Sequence, residues 1–215
     1  MSSYETAVVK VKTELAKIAP DVGLTVQPPF YDDPDYIDAL AEVTRPYLDE
    51  DYDTLLFSYH GIPERHVKKG DPSKSFCLAS PDCCDKKHPF QGGCYRAQVF
   101  ATSRALTEKL EIPKEKWKLA FQSRLGRDPW LKPYTDFELE KFPTMGIRNI
   151  LVMCPAFISD CLETLEEIDM RGREDFEKAG GTKFTYIPCL NETDAWINVL
   201  VRMNQDFVDG KLRLD

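Results

Sequence analysis

Histidine and carboxylate side chains follow the apolar segments of this 215-residue chain, at the points where those segments end. The stretch TLLFSY stops at His60, and the later stretch NILVMCP is soon followed by Asp160, Glu163 and Glu167. Near pH 7 an imidazole can accept a proton or bind a metal, and carboxylates can do both as well. Spacings of three and four residues place the carboxylates on one face of a helix. Taken alone, His60 also fits a structural role, and the carboxylates fit a solvated helix face capped by Asp160.

Four of the seven cysteines lie together in the polar segment SFCLASPDCCDKKHPFQGGCYRAQ. They are Cys77, Cys83, Cys84 and Cys94. Four thiolates satisfy the ligand count of a zinc site or of a [2Fe-2S] cluster, and free thiols are the third alternative. The spacing C-x5-C-C-x9-C lacks the paired C-x2-C knuckles of zinc ribbons, and an adjacent Cys-Cys pair is awkward for one tetrahedral ion. The remaining cysteines are expected to be small buried apolar residues. They are Cys154, Cys161 and Cys189.

Alternating strands and helices must position these side chains. Apolar segments predict strands over residues 23–27, 54–59, 117–123, 149–155 and 183–188, and periodic patterns predict helices over 33–49, 94–110, 135–145, 160–178 and 192–208. This alternation is typical of a doubly wound, Rossmann-like α/β domain whose parallel sheet is covered on both faces. Ligands bind beyond the carboxyl ends of such strands, which is where His60 and the carboxylates fall.

The composition argues against several classes of partner. A net charge of -8 and a pI near 5.0 do not provide the cationic surface that nucleic acids require. The longest apolar stretch, residues 150–158, contains Pro155 and is too short to span a bilayer, and the first residues lack the apolar core of a signal peptide. We therefore expect a cytoplasmic protein without a transmembrane segment, although peripheral contact with a membrane stays open. The odd number of cysteines favours reduced thiols or metal ligands over disulfides.

Four segments closely resemble motifs of the ferrochelatases, the enzymes that insert ferrous iron into protoporphyrin IX. They are SYHGIPERHVKKGDP, FQSRLGRDPWLKPYTD, MCPAFISDCLETLEEI and YIPCLN. The motifs are long, and the resemblance covers nearly the whole chain. It implies an enzyme of haem biosynthesis, a lyase, with protoporphyrin IX and Fe2+ as its substrates.

The resemblance also implies a role for each candidate residue. In this family the histidine of the first motif and the first glutamate of ETLEE lie opposite each other across the porphyrin cleft, and these positions are His60 and Glu163 here. We expect both residues to be catalytic and, with Glu167, to bind the substrate iron. Asp160 is expected to support them, and Trp130 to line the porphyrin pocket unless it is an ordinary core anchor.

Two further features follow from the resemblance. Some ferrochelatases carry a [2Fe-2S] cluster on an internal segment, which favours a cluster on Cys77, Cys83, Cys84 and Cys94, with structural zinc as the alternative. Where the acidic row of the family continues along the helix, this chain has Arg171, so the row is shortened here.

The resemblance extends to only the second of the two α/β halves from which ferrochelatases are built. We expect residues 1–20 to be a linking helix from a missing N-terminal half, and residues 21–215 to be the C-terminal chelatase domain with a cysteine-rich insert at 76–95. The missing half would belong to a longer polypeptide or to a partner chain. The alternative function is a non-catalytic module, derived from a chelatase, that binds an iron-sulfur cluster or a porphyrin. Because a pure cluster-binding module has no need of the cleft residues, their retention favours the catalytic half.

Overall fold

A four-stranded parallel sheet forms the centre of the computed structural model, which describes residues 2–86 and 88–211. The strands are β1 (Thr54–His60), β2 (Trp117–Gln122), β3 (Asn149–Met153) and β4 (Lys183–Tyr186). Their order across the sheet is β2-β1-β3-β4. From β1 the chain therefore moves first to one side of the sheet and then to the other, which creates a switch point beside β1. The predicted α/β fold is confirmed.

Helices cover both faces of this sheet. They are α1 (Ser2–Ile18), α2 (Pro34–Thr44), α3 (Glu64–Lys69), α4 (Tyr95–Lys109), α5 (Thr135–Lys141), α6 (Leu162–Thr164), α7 (Arg173–Lys178) and α8 (Asp194–Val208). Among the described residues, no helix has the length and apolar character needed to cross a membrane. The expected domain bounds at residues 1 and 215 lie outside the described residues.

Alternating side chains of β1 bury the two faces in different cores. Leu55, Phe57 and Tyr59 pack with α2, α4 and α8, whereas Leu56 belongs to the core formed with α5 and α7. Each is at most 1% exposed. Burial of one such side chain stabilises the fold by about 1.5–3 kcal/mol, so the apolar character of β1 is accounted for on both faces.

The predicted strand over residues 23–27 is wrong, because this segment has no regular secondary structure. Pro28 and Pro29 follow it directly, and proline has no N–H to donate to a neighbouring strand. The carbonyl of Gln27 accepts a hydrogen bond from the Tyr4 hydroxyl at 2.9 Å. The segment therefore connects α1 to α2 as a loop.

The predicted first helix is confirmed as α1, but much of its apolar face remains exposed. Val9 is 63% exposed and Ile18 is 79% exposed. Neither residue belongs to the two buried cores of the sheet.

The predicted helix over residues 160–178 contains a wider turn that its sequence does not signal. Between α6 and α7 the chain forms a π-helix, Leu165–Gly172. Just before it, the carbonyl oxygen of Glu163 accepts a hydrogen bond from the Gln122 side chain at 2.7 Å. A carbonyl engaged outside the helix favours a wider turn, and such turns are frequent at functional sites.

Candidate active site

The ends of β1 and β2 bring the first site residues together. In the parallel register, His60 pairs with Gln122, the last residue of β2. The pairing continues one step further, since the N–H of Gly61 donates to the Gln122 carbonyl at 2.8 Å. His60 therefore lies at the carboxyl edge of the sheet, beside the switch point where such folds bind ligands.

The imidazole of His60 is oriented by its own main chain. Its Nδ1 is 2.6 Å from the carbonyl oxygen of Gly61. A carbonyl oxygen only accepts, so Nδ1 carries the proton in this contact and Nε2 of the neutral ring is left as a proton acceptor. The carbonyl of His60 itself accepts a hydrogen bond from the Tyr95 hydroxyl at 2.8 Å.

Gln122 connects the histidine to the acidic helix. Its side-chain nitrogen donates to the Glu163 carbonyl at 2.7 Å, while its main-chain carbonyl holds Gly61. Its side-chain oxygen accepts from the Ser58 hydroxyl at 2.7 Å. Gln122 is only 3% exposed, so a buried amide bonded at both its oxygen and its nitrogen fixes the main chains of His60 and Glu163 relative to one another.

The carboxylate of Glu163 lies within the electrostatic influence of His60. Its pKa lies below the ordinary value, first because the Cys161 side chain donates a hydrogen bond to it and next because its own N–H does. The His60 imidazole adds a smaller effect in the same direction. The two hydrogen bonds and the imidazole all favour the ionised Glu163 carboxylate. An anion therefore lies within electrostatic range of the proton acceptor His60.

Aromatic rings flank His60 on two sides. The ring centroid of Trp130 is 6.3 Å from that of His60, and the ring of Phe157 is 6.4 Å away. The Trp130 indole N–H donates to the Leu125 carbonyl at 2.9 Å, and residues Pro63 and Trp130 form an antiparallel bridge. Both rings are half-buried and suited to contact with a flat apolar ligand.

The carboxylate of Glu167 is bonded to Ser123, the residue after β2. The Ser123 N–H and hydroxyl donate to its two carboxylate oxygens at 2.7 and 2.5 Å. Ser123 has φ 64°, a left-handed conformation that is unfavourable for a residue other than glycine, and this backbone strain coincides with the contact. Glu167 lines a polar cavity of about 270 Å³ together with Arg171, whose guanidinium pairs with Glu166 at 3.1 Å.

Asp160 serves as an anchor between the acidic helix and the end of β4. It accepts hydrogen bonds from the Tyr186 hydroxyl and from the Asn191 amide, each at 2.7 Å. Burial acts to raise its pKa, but the hydrogen bonds from Asn191 and Tyr186 outweigh burial, so the pKa is lowered. The structure therefore gives Asp160 a supporting position.

The four cysteines of the loop line one small cavity. Cys77, Cys83, Cys84 and Cys94 surround a space of about 10 Å³, and the sulfur atoms of Cys83 and Cys84 are 3.9 Å apart. Such a volume accommodates about one water-sized group. Within the described ranges, no group of three or more histidine, cysteine, aspartate and glutamate side chains is arranged to hold a metal ion.

The thiols around this cavity differ in how readily they ionise, since the pKa of Cys94 is lowered whereas those of Cys77 and Cys84 are raised. A hydrogen bond from Cys84 is the main cause that lowers the pKa of Cys94 to about 6, and the backbone N–H of Ala97 at the start of α4 contributes. The Arg96 guanidinium lies 3.2 Å from the sulfur of Cys84 and 3.5 Å from that of Cys83. Burial instead raises the pKa of Cys77 to about 12. Repulsion from the neighbouring Cys94 thiolate adds to the effect of burial on Cys77. A bound cation or cluster would relieve this repulsion.

Asp71 fixes the beginning of the cysteine loop. Its carboxylate accepts the backbone N–H groups of Ser73, Phe76 and Cys77, each at 2.9 Å, and the Ser73 hydroxyl at 2.6 Å. Side-chain contact with Ser73, followed by the Cys77 N–H, lowers its pKa far below the ordinary value. Further along, the ring of Phe76 stacks on His88 with centroids 3.7 Å apart.

Several site residues could not be identified from sequence patterns. Gln122 and Phe157 lie next to predicted strand ends, but their types carry no specific chemical signal. The prediction that Cys161 is a buried apolar residue is wrong, because its side chain is only half-buried and bonds to Glu163. Tyr95 follows the last loop cysteine and its contact with His60 depends on tertiary packing. Their position beyond the carboxyl ends of the strands is the only signal that could have pointed to them.

Comparison with known proteins places these features in a family. Residues 1–206 match the ferrochelatase family model. The chain is 53% identical to a ferrochelatase of Opitutus terrae over 213 residues, which is 99% of this chain and 62% of that protein. It is 47% identical to ferrochelatases of Pseudomonas putida strain W619 and Pseudomonas entomophila, in each case over 94% of this chain and 60% of the relative.

This chain is a parallel α/β protein with a candidate acid-base site, formed by a histidine and a glutamate at the carboxyl edge of its sheet. Within that class, the chain is a member of the ferrochelatase family. It spans about 60% of the length of the curated relatives that it matches.

Proposed function

We propose that this chain supplies the catalytic half of a site that inserts Fe2+ into protoporphyrin IX to form protohaem. The observation that supports it most is the pair formed by His60 and Glu163. The imidazole has a free acceptor nitrogen, the carboxylate is favoured in its ionised form, and Gln122 fixes the two main chains together.

The proposed reaction requires proton transfer, which a histidine and a glutamate can carry out. Insertion of one Fe2+ replaces two pyrrole N–H protons of the porphyrin, so both protons must leave the macrocycle. His60 Nε2 accepts a proton from a pyrrole nitrogen, and the nearby Glu163 carboxylate stabilises the imidazolium that forms. Glu163 also offers an oxygen ligand to the incoming iron, while Glu167, held by Ser123, lies one turn further along the path of the released protons.

The aromatic residues next to His60 provide contact with the macrocycle. Trp130 and Phe157 both lie within 6.4 Å of the His60 ring, measured between centroids. Contact with two rings holds an apolar, flat substrate over the acceptor nitrogen, which lowers the entropic cost of proton transfer.

We further propose that the site is completed by an N-terminal half, either in a longer polypeptide or in a partner chain. This proposal rests on the match to about 60% of the relatives' length. It is tested by a chimera that adds the unmatched part of the Opitutus terrae ferrochelatase to this chain. Iron insertion by the chimera, and not by the 215-residue chain, is the expected result. A chimera that binds porphyrin and forms no haem would instead favour the non-catalytic module.

The role of the paired residues is tested by single substitutions in the active chimera. His60→Ala should abolish haem formation while porphyrin binding persists, because the change removes a proton acceptor and little of the pocket wall. Glu163→Gln should reduce kcat more than Glu167→Gln, because His60 lowers the pKa of Glu163 whereas the Glu167 carboxylate is bonded to Ser123. An active His60→Ala protein, or equal losses for the two glutamates, would contradict these roles.

We also propose that the loop thiols hold a [2Fe-2S] cluster, with structural zinc as the alternative. Four cysteines that line one cavity, together with the Arg96 cation beside them, fit the ligand number and the negative charge of such a group. The described thiols are not arranged to hold an ion, so either group requires them to move, and a cluster requires them to move further outward. When bound, a cluster would supply four bonds that tie the loop together and one-electron redox chemistry.

Metal analysis distinguishes these alternatives. Protein purified without oxygen from iron-replete cells should be red-brown, should contain iron and sulfide in equal amounts, and should bleach with dithionite. Replacement of Cys83 by Ser should remove or weaken the colour. A colourless preparation that contains zinc would refute the cluster. The predicted cytoplasmic location stays a prediction, supported by the odd number of cysteines in the sequence.

A further inference from the structure

The first residues of α4 contact two sites at once. Cys94, directly before the helix, has its thiol in the four-cysteine cavity, and Arg96 donates from its guanidinium to the Cys84 sulfur at 3.2 Å. Between them, the Tyr95 hydroxyl donates to the main-chain carbonyl of His60 at 2.8 Å. Three consecutive residues therefore join the thiols to the histidine at the end of β1.

The bond from Tyr95 acts on the part of the chain that orients the imidazole. The His60 carbonyl belongs to the same peptide unit as the Gly61 N–H, which donates to Gln122 at 2.8 Å. Gly61 then provides the carbonyl that holds the Nδ1 of His60 at 2.6 Å. Rotation of the peptide unit that Tyr95 fixes would thus turn the ring and redirect its Nε2.

The environment of Tyr95 keeps it in the donating form. Burial raises the pKa of the Tyr95 hydroxyl well above its ordinary value, so the hydroxyl keeps its proton near neutral pH. A carbonyl oxygen cannot donate, so the direction of this hydrogen bond is fixed.

We propose that Tyr95 is a positioning residue that orients His60 and makes this orientation depend on the four-cysteine cavity. Displacement of the loop thiols moves Cys94, and with it the start of α4 and the hydroxyl on the His60 carbonyl. The proposal rests on the proposed function for its catalytic consequence, but the mechanical connection exists in this chain without any substrate.

Tyr59 offers a matched control for Tyr95. Its hydroxyl also connects β1 to α4, through a contact of 2.9 Å with Ser103, and it is 1% exposed. It does not bond to the His60 carbonyl, which Tyr95 occupies. Tyr95→Phe and Tyr59→Phe each remove one hydroxyl between the same two elements and retain the ring, so a general loss of packing would appear in both variants.

Histidine NMR measures the orientation directly, since the chain has only three histidines. With the ring carbons labelled, Tyr95→Phe should shift the His60 signal and leave those of His66 and His88 in place, whereas Tyr59→Phe should leave His60 unchanged. An unchanged His60 signal in Tyr95→Phe, or equal shifts in both variants, would overturn the proposal.

A double substitution tests the connection to the thiols. Cys83→Ser should shift the His60 signal in the otherwise unchanged chain, and this shift should disappear when Tyr95→Phe is already present. Equal effects of Cys83→Ser with and without the Tyr95 hydroxyl would overturn the connection.

Turnover separates this proposal from the proposed function. In the active chimera, Tyr95→Phe should lower kcat about tenfold and leave the KM for porphyrin unchanged, since the pocket wall is intact. A higher KM for porphyrin with an unchanged kcat would contradict a positioning role. A chimera without activity refutes the proposed function, while the NMR results still decide the role of Tyr95.

Discussion

Replacement of Gly61 by alanine tests whether the close contact between the β1 end and Trp130 holds the site together. A methyl group at this position would lie 3.0 Å from the Gln122 carbonyl oxygen, 3.2 Å from Cε3 of Trp130 and 3.6 Å from Cβ of Phe121. The first two distances are too short for relaxed carbon contacts, so at least one neighbour must move.

Neither neighbour is free to move without loss. The Gln122 carbonyl accepts the Gly61 N–H at 2.8 Å, and the Trp130 indole is tied to the Leu125 carbonyl at 2.9 Å. Overpacking of this kind costs about 1–3 kcal/mol. For a domain of this size, each 1 kcal/mol lowers Tm by about 2–4 °C, so Gly61→Ala should lower Tm by about 2–12 °C.

Gly23→Ala provides the control, because no atom lies within 4 Å of the position where its methyl group would be placed. Its stability should change by less than about 1 kcal/mol, and in the stabilising direction if the unfolded chain loses freedom. Thermal unfolding followed by circular dichroism gives both values, and porphyrin titration of the folded proteins reports on Trp130. Equal Tm values for the two variants, together with unchanged porphyrin affinity, would refute the contact as described.

Three other substitutions test separate parts of the structure. Because the pKa of Asp71 is lowered, its contribution to stability is present above pH of about 4 and is lost as pH falls further. Asp71→Asn should therefore flatten this acid dependence and speed thiol modification at pH 7. The control Asp53→Asn should leave thiol modification unchanged. Ser123→Ala should lower the free energy of unfolding by about 1.5–3 kcal/mol in urea titrations, since it removes a hydrogen bond to the Glu167 carboxylate. Cys154→Ala should leave the visible spectrum of the purified protein unchanged, because this thiol is buried by the sheet and outside the loop cavity.

The central strands could be predicted because strands that are buried on both faces consist largely of apolar residues. Every residue of β1 before His60 is buried, and a continuous apolar run is the result of packing on both faces. Residues 23–27 hold only two apolar side chains, are not buried, and are followed by Pro28 and Pro29, so they form no strand. A short segment of this kind does not predict a strand by itself, because pairing depends on a neighbouring edge elsewhere in the chain.

The candidate site could be predicted only in part. His60 and Glu163 each lie just beyond an apolar strand, but position and residue type alone also fitted structural roles, and only the resemblance to the ferrochelatase motifs singled them out. Gln122 could not be identified, because its importance comes from the register in which β1 pairs with β2. The contact of Tyr95 with His60 likewise depends on where α4 packs, which no local pattern of residues specifies.

The three acidic residues show why a shared helix face does not establish a shared role. Asp160 is bonded to Tyr186, Glu163 lies beside His60, and Glu167 is bonded to Ser123. The π-helix begins between the second and third of these residues, and its wider turn changes the direction in which the later side chains point.

The cavity beyond Glu167 is therefore better suited to proton transfer than to passage of a cation. Its wall includes the guanidinium groups of Arg124 and Arg171 as well as carboxylates, and Arg124 is paired with Asp136 at 2.8 Å. Paired charges of both signs give a weak net attraction for a divalent cation, whereas the Ser123 hydroxyl and the Glu167 carboxylate, which are joined by a hydrogen bond, are groups that can relay protons. Arg171 thus ends the acidic row with a positive charge, which disfavours a cation at that end of the row.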